Sequence, residues 1–396
     1  MAISAAERTA LREAVRDLLR DACTEQDVRK VMNSEEGFDR SLWRQLADLG
    51  VVGMLISPGY GGSGLGPLEL EAVAEETGAA LLPSPFISSG VLAASLIQAA
   101  GSPADRQRLL PGIATGQSIA TVALTGKRGT WTADGVDVTA GADGSLTGGA
   151  RYVTFGQAAD VILVAARTAD GIGVFEIAPD AAGFSRTAEN VFDPTVRLSA
   201  YAFDGTPARR LGTAGWDAVQ DALDLAVIAL AGEQAGGARR IFDVTVEYLK
   251  TRVQFGRFIG SFQALKHIAA DLLLEVESAT SAAQHAAAEY AAAQQGAAQQ
   301  GAAQQATAGA DAGAAASAGA DAGAVASAVA GAVALAGFAC AEAFETIAMQ
   351  AIQLHGGIGF TWEHPAHLFL RRARSGAQLF GGSRAHRERY LVAKGA

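Results

Sequence analysis

The hydrophobic period of this chain changes twice, and those two changes limit the fold more than any other feature. From Ala6 to about Gly116 apolar residues recur at helical spacing, with Leu11, Val15, Leu18 and Leu19 on one stripe and Leu42, Leu46 and Leu49 on another. Glycine and proline interrupt these helices at Ser57 to Pro67 and at Pro83 to Pro85. From about Gln117 to Gly212 the pattern shortens to alternating runs between turn residues, clearest in IATVAL, GVDVTA, ADVILVAAR, GIGVFEI and RLSAYAFDG. Helical spacing returns at Trp216 and continues nearly to the end. This order predicts an α+β multidomain chain: an N-terminal helical domain over 1–116, a middle antiparallel β domain over 117–212 and a C-terminal helical bundle over 213–396. A length of 396 residues accommodates such a division, because single cores stop growing at about 250–300 residues.

Composition narrows the partners. The net charge of −10 argues against nucleic acid or an anionic membrane, so an acidic ligand has to be met by local arginines. Cys23 and Cys340 are the only cysteines and have no CxxC spacing, which indicates neither a disulfide framework nor a zinc site and fits a reducing cytoplasm. The N-terminal MAISAAERTALREAVRDLL lacks the apolar core of a signal peptide, and the Ala-rich stretches read as too weakly hydrophobic for a membrane span. A soluble cytoplasmic protein is the expectation. Between about 286 and 330 the chain becomes a repeat of Ala, Gln and Gly, including GAAQQGAAQQGAAQQ. Its unit is far too short for a solenoid, and the segment reads as a low-complexity insert between two helices, frayed or disordered, with no function assigned.

Several strings carry chemistry. SPGYGGSGLG, from Ser57 to Gly66, precedes a helix but lacks the G-x-G-x-x-G register, and TGKRGT, from Thr125 to Thr130, lacks the first glycine of a phosphate loop. VALT (Val122 to Thr125) and RYVTFG (Arg151 to Gly156) each end a strand with a hydroxyl and free backbone, groups able to hydrogen-bond the edge of a flat heterocycle. In TRVQFGRFIGSFQALKH, Arg252 offers a permanent bidentate charge for a diphosphate, Phe255 an aromatic face and Gln263 an amide. In AIQLHGGIGFTWEH, Gly356 and Gly357 let backbone approach a ligand closely, with Gln353 one turn earlier. His364 and His367 lack a third ligand nearby, so no metal site is expected.

Together these strings resemble the acyl-CoA dehydrogenase family, in its R-x-x-FG-x-x-[IL]-x-x-[FH]Q and Q-x-x-GG-x-G-[FY] segments, its YGG-x-G loop and, less closely, its V-T-E-P and W-I-T segments. The resemblance implies the acyl-CoA dehydrogenase fold, with a β-barrel-like middle domain and FAD as cofactor. It makes Leu124, Thr125, Tyr152 and Thr154 flavin contacts. Arg252, Phe255 and Gln263 would grip the diphosphate across a subunit interface, and Gln353, Gly356 and Gly357 the adenine end. This chain departs from the pattern at Gly126 to Thr130, which stand where the family continues E-P-G-A-G-S-D, and at Phe258, where proline is common.

Dehydrogenation of an acyl thioester needs a carboxylate to take the α proton while hydride leaves the β carbon for the flavin. In many members of the family that glutamate lies in a Y-E-G-T segment, where this chain has Phe380 and Gly381. A second placement in the family, 26 residues before the arginine, falls on Ala226. Two turns further along the same helix stands Glu233, among Ala, Gly, Ile and Leu, and it is the candidate base. It also reads as a packing glutamate bonded to Arg239 or Arg240, or as a flavin-site contact. Asp224 and Glu247 sit in contexts that look more polar and exposed. The implied function is FAD-dependent α,β-dehydrogenation of an acyl-CoA with electrons passed to an electron-transfer flavoprotein, in a homotetramer. The alternatives are a non-catalytic partner subunit of an α2β2 heterotetramer with a second dehydrogenase-like chain, and a flavin monooxygenase or oxidase. The acyl group is open among fatty, branched, aromatic and steroid side chains.

Overall fold

Most N-terminal helices begin where a short polar side chain captures free backbone N–H groups. α1 (Ala5–Ala22), α2 (Glu25–Val31) and α6 (Pro103–Ala114) open on capping boxes, Ser4 with Glu7, Thr24 with Asp27 and Ser102 with Asp105. Asp39 caps α3 (Arg40–Asp48), and Pro67 occupies the first position of α4 (Pro67–Ala79), where its missing N–H costs nothing. A π-helical turn at Phe86–Ala93 leads into α5 (Ala94–Ala100). The structure, a computed structural model, describes residues 3–306 and 315–396.

The middle domain is one curled sheet whose order is β6-β7-β3-β2-β4-β5-β8, with β1 also paired to β4. Its strands are β1 (Ala120–Ala123), β2 (Thr139–Ala140), β3 (Ser145–Thr154), β4 (Val161–Thr168), β5 (Gly171–Ile177), β6 (Phe184–Ala188), β7 (Leu198–Pro207) and β8 (Arg209–Arg210). The sheet is not wholly antiparallel as expected, because β1 and β2 both run parallel to β4. GVDVTA contributes only its last two residues as strand, since Ala133–Gly135 form a 3-10 turn instead.

The C-terminal part is helical: α7 (Trp216–Thr251), α8 (Gln263–Ala306), α9 (Ala315–His355), α10 (Ala366–Gly376) and α11 (Gly382–Ala393). Between α7 and α8 a small hairpin pairs β9 (Val253–Gln254) with β10 (Arg257–Phe258). The Ala/Gln/Gly segment differs from the expectation of frayed chain wherever it is described. Ala286, Ala287, Tyr290 and Ala291 are buried on α8, and helix resumes at Ala315; residues 307–314 lie outside the described part. The stretch Gly323–Phe360 is long and apolar enough to cross a membrane, contrary to the sequence reading. In this fold it packs against α7, α8 and α11 and buries Val333, Phe344 and Ile347, the environment of a bundle core helix.

What positions the interior is the contact of α4 with α7. Gly78 packs onto the backbone of Glu233, and Gly232 and Gly236 onto the backbones of Glu71 and Glu75, so the two helices approach as closely as backbones allow. A Cβ on Gly236 would overlap the Glu75 carbonyl. Gly236→Ala should therefore destabilise the protein by about 1–3 kcal/mol in denaturant unfolding, although alanine is the better helix former. In the same contact Glu71 is 5% exposed, and burial together with the adjacent Glu75 carboxylate pushes its pKa up to about 8. A carboxyl raised on folding gives stability that is complete below the ordinary carboxylate pKa and lost as pH rises towards 8. Urea midpoints measured between pH 5 and pH 8 should fall for the wild type and stay nearly level for Glu71→Gln.

Candidate functional site

Arg372, on α10, is 3% exposed and stands where the three domains meet. Its Nη1 donates to Glu233 Oε1 at 2.6 Å on α7, and its Nε donates at 3.0 Å to Asp193 Oδ2 and to Thr195 Oγ1 in the loop before β7. Its Nη2 donates to Thr195 Oγ1 at 2.7 Å and to the carbonyls of Leu81 and Leu82 at 3.3 Å, beyond the end of α4. Leu81 holds a φ of +50°, an uncommon conformation for leucine that turns the chain where it meets the guanidinium. Asp193 accepts the Thr195 N–H and hydroxyl on its Oδ1, so the loop presents both acceptors as one unit. Removing one member of such a buried set leaves an uncompensated charge and typically costs about 3–5 kcal/mol.

Glu233 is thus buried, at 9% exposure, and its partner is Arg372, not the Arg239 or Arg240 of the alternative reading as a packing glutamate. Arg239 pairs with Glu277 instead. Glu233 lines a narrow cavity of about 40 Å³ together with Thr77, Phe86, Thr154, Arg372 and Phe380. Sequence reasoning placed Glu233 and Thr154 in the site separately, and the fold brings them to one wall. It missed Arg372, Asp193 and Thr195; the one signal was a second arginine on the buried side of a short amphipathic helix. Asp224 is a correction, since it is 5% exposed and held by Arg389 through two bonds of 2.6 Å, while Glu247 is exposed as expected.

Phe380 fills the place of the missing glutamate. It is 4% exposed with φ +57°, stacks edge-on against Trp131 at 5.2 Å, and is followed by Gly381 and Gly382, both at positive φ. Three successive left-handed residues turn this loop sharply between α10 and α11, and two of them are glycine because φ values of +144° and +71° suit no larger residue well.

Of the β-domain residues that the family resemblance makes flavin contacts, Thr154 lines this cavity and Leu124, Thr125 and Tyr152 are not in its lining. β3 changes register between Ala150 and Val153, and the bulge gives Tyr152 a φ of +57°. The Arg151 N–H donates to the Thr125 carbonyl at 2.8 Å, which joins the VALT end to the bulge. Leu124 and Thr125 are buried and the Thr125 hydroxyl donates to the Thr130 carbonyl, so Leu124 can contact a ligand only through its backbone.

The second group lies at the far end of α7. Arg252 follows α7, nineteen residues after Glu233, a rise of about 28 Å along the helix. Its side chain is exposed and has no ion-pair partner among the described residues; Phe255 is 91% exposed with φ +52°. Gln263 opens α8, where its amide pairs with the His267 ring. Gln353 is exposed on α9, and open space surrounds Gly356 and Gly357 at the start of a 3-10 turn. Among the described residues no ion pair holds Arg252, and Phe255, Gln263, Gln353, Gly356 and Gly357 are exposed.

Comparison with known proteins bears on the family and the fold. The model of the acyl-CoA dehydrogenase N-terminal domain matches residues 5–117 and that of the C-terminal domain residues 213–395, on either side of the sheet. The acyl-CoA dehydrogenase IpdE2 of Mycobacterium tuberculosis is 33% identical over 381 residues, covering 96% of this chain and 94% of that protein. The ChsE4-ChsE5 complex from Mycobacterium tuberculosis superposes with a TM-score of 0.84 at 28% identity, over 99% of this chain and 98% of the other. A Tcur3481-Tcur3483 steroid ACAD does so at 0.80 and 30% identity, over 98% of each chain. With helices, curled sheet and helices in that order and matches across both helical domains, the chain belongs to the acyl-CoA dehydrogenase family of oxidoreductases.

Proposed function

We propose that this chain takes part in FAD-dependent α,β-dehydrogenation of an acyl-CoA, with electrons passed on to an electron-transfer flavoprotein. The observation that carries this reading is the meeting of Glu233 and Thr154 in one cavity wall, a carboxylate from α7 beside the strand end that resembles a flavin edge contact. Bound flavin would supply the hydride acceptor. Glu233 would take the α proton on Oε2, which has no partner among the described residues, while Arg372 keeps Oε1. The backbone at Thr125 and the bulge at Tyr152 would meet the edge of the ring system. Phe86, Leu230 and Phe380 would keep water from the reacting carbons.

Arg252, about 28 Å along α7 from Glu233, stands too far away to complete that cavity, so with Phe255, Gln263, Gln353, Gly356 and Gly357 it would grip the diphosphate and adenine of a flavin held by a neighbouring subunit. An oligomer follows, and a heteromer is supported by the likeness to a protein described as the ChsE4-ChsE5 complex. Acyl groups from steroid degradation belong in the first substrate panel, because one similar structure is described as a steroid ACAD.

A second reading is favoured by the cavity itself. About 40 Å³ is far below the roughly 300–1,000 Å³ of common ligand pockets, and the carboxylate in it is already ion-paired. In that reading the chain is a partner subunit that grips flavin for an active neighbour. The test begins with the chain purified alone and after co-expression with a second dehydrogenase-like chain, flavin content being read from absorbance. Anaerobic bleaching is then followed with a panel of acyl-CoAs. Dehydrogenation at this chain's own cavity is expected to bleach the wild type, and Glu233→Gln should slow it about 100-fold or more. Bleaching that needs the second chain and ignores Glu233→Gln would establish the partner reading instead. Oxygen consumption with a hydroxylated product would point to a monooxygenase.

A further inference from the structure

We infer that Arg372 is the positioning residue of this site: it fixes one oxygen of Glu233, leaves the other for the cavity, and makes that orientation depend on the docking of all three domains. The inference rests on the proposal that Glu233 acts on substrate, and it adds what sets that group's geometry.

The reasoning starts from the hydrogen bonds. A guanidinium is planar and donates in fixed directions, so acceptors on three sides determine its orientation completely. Here Asp193 and Thr195 take the Nε edge, the Leu81 and Leu82 carbonyls with Thr195 take Nη2, and Glu233 takes Nη1. Rotation to release Glu233 would break contacts to the other two domains together. The Glu233 backbone is fixed independently, because Gly78 of α4 packs against its carbonyl group with no space for a side chain. With backbone and Oε1 both held, Oε2 is the atom left to meet a ligand, in a wall shared with Thr154 and Phe380.

Charge points the same way. Arg372 faces two carboxylates, Asp193 and Glu233, and is the only cation among the residues lining the cavity. The set carries one net negative charge, so it would repel an anionic acyl terminus.

Lysine at 372 keeps the charge but cannot fork, and methionine keeps only bulk. The test compares Arg372→Lys, Arg372→Met and Glu233→Gln in the flavin-loaded protein, with its partner chain if one is required. Two measurements are made: the pH profile of anaerobic bleaching, and hydrogen exchange of the backbone amides of Leu81 and Leu82 in one segment and of Asp193, Thr195 and Val196 in the other. Arg372→Met should slow bleaching at least tenfold, move the acidic limb of the profile to higher pH, and speed exchange in both segments. Arg372→Lys should recover part of the exchange protection and little of the rate. Glu233→Gln should abolish bleaching while leaving exchange in both segments near wild type. If Arg372→Met changes exchange and leaves the pH profile in place, Arg372 is a structural tie only and the inference is overturned. If exchange is unchanged as well, the domain coupling is wrong too. If Glu233→Gln bleaches normally, the role given to Glu233 has failed, whereas the exchange data still decide whether Arg372 holds the domains. Should Arg372→Met not fold, Arg372→Lys carries the same comparison, since only the forked geometry is lost.

Discussion

The site depends on one buried guanidinium. Arg372 touches the chain leaving α4, the loop before β7 and the middle of α7, so a single side chain joins an N-terminal helical unit, a sheet and a helical bundle. Burying it is tolerable because two carboxylates, a hydroxyl and two carbonyls surround it; with fewer partners the desolvation cost would dominate. Such a set is sensitive to geometry. It forms only if the three units dock correctly, and it then holds the cavity carboxylate in one orientation.

The second constraint is the length of α7. Its middle lies against α4 at backbone contact distance, which places Glu233 at the domain junction, and its end delivers Arg252 about 28 Å away. The helix is too long for both ends to serve one cavity in one chain. Phe255, Phe258, Phe360 and Trp362, all more than half exposed around the second group, are the surface expected of a face that another subunit covers. The proposed dinucleotide grip and the proposed oligomer thus rest on the same exposed face.

Much of this was legible in the sequence. The two changes of hydrophobic period mark the helix, sheet and helix order, because burying one face of an element requires that element's own repeat. TRVQFGRFIGSFQALKH and AIQLHGGIGFTWEH identify the family, since their glycines and arginine answer to backbone approach and charge rather than to packing. The limits were equally physical. GVDVTA alternates like a strand, yet only its last two residues pair as one, and Val136 to Val138 are irregular chain. Asp224 looks exposed because its neighbours are polar, but Arg389, 165 residues away, buries it in a bidentate pair. The Ala/Gln/Gly segment gives no amphipathic signal, and its first part is nevertheless packed helix because α9 lies alongside it.

The sequence by itself therefore determined the class of fold and the family, which follow from local periodicity and from short motifs. It also singled out Glu233, a carboxylate that the fold buries. Only the tertiary structure decided what Glu233 is bonded to, that Thr154 shares its cavity, and that Phe380 closes the place of the missing glutamate. Arg372 lies 139 residues from Glu233 and 179 from Asp193, and no periodicity or spacing encodes a contact of that range. Such a contact exists because surfaces from three parts of the chain meet at one point, where a buried charge has to find every one of its partners at once.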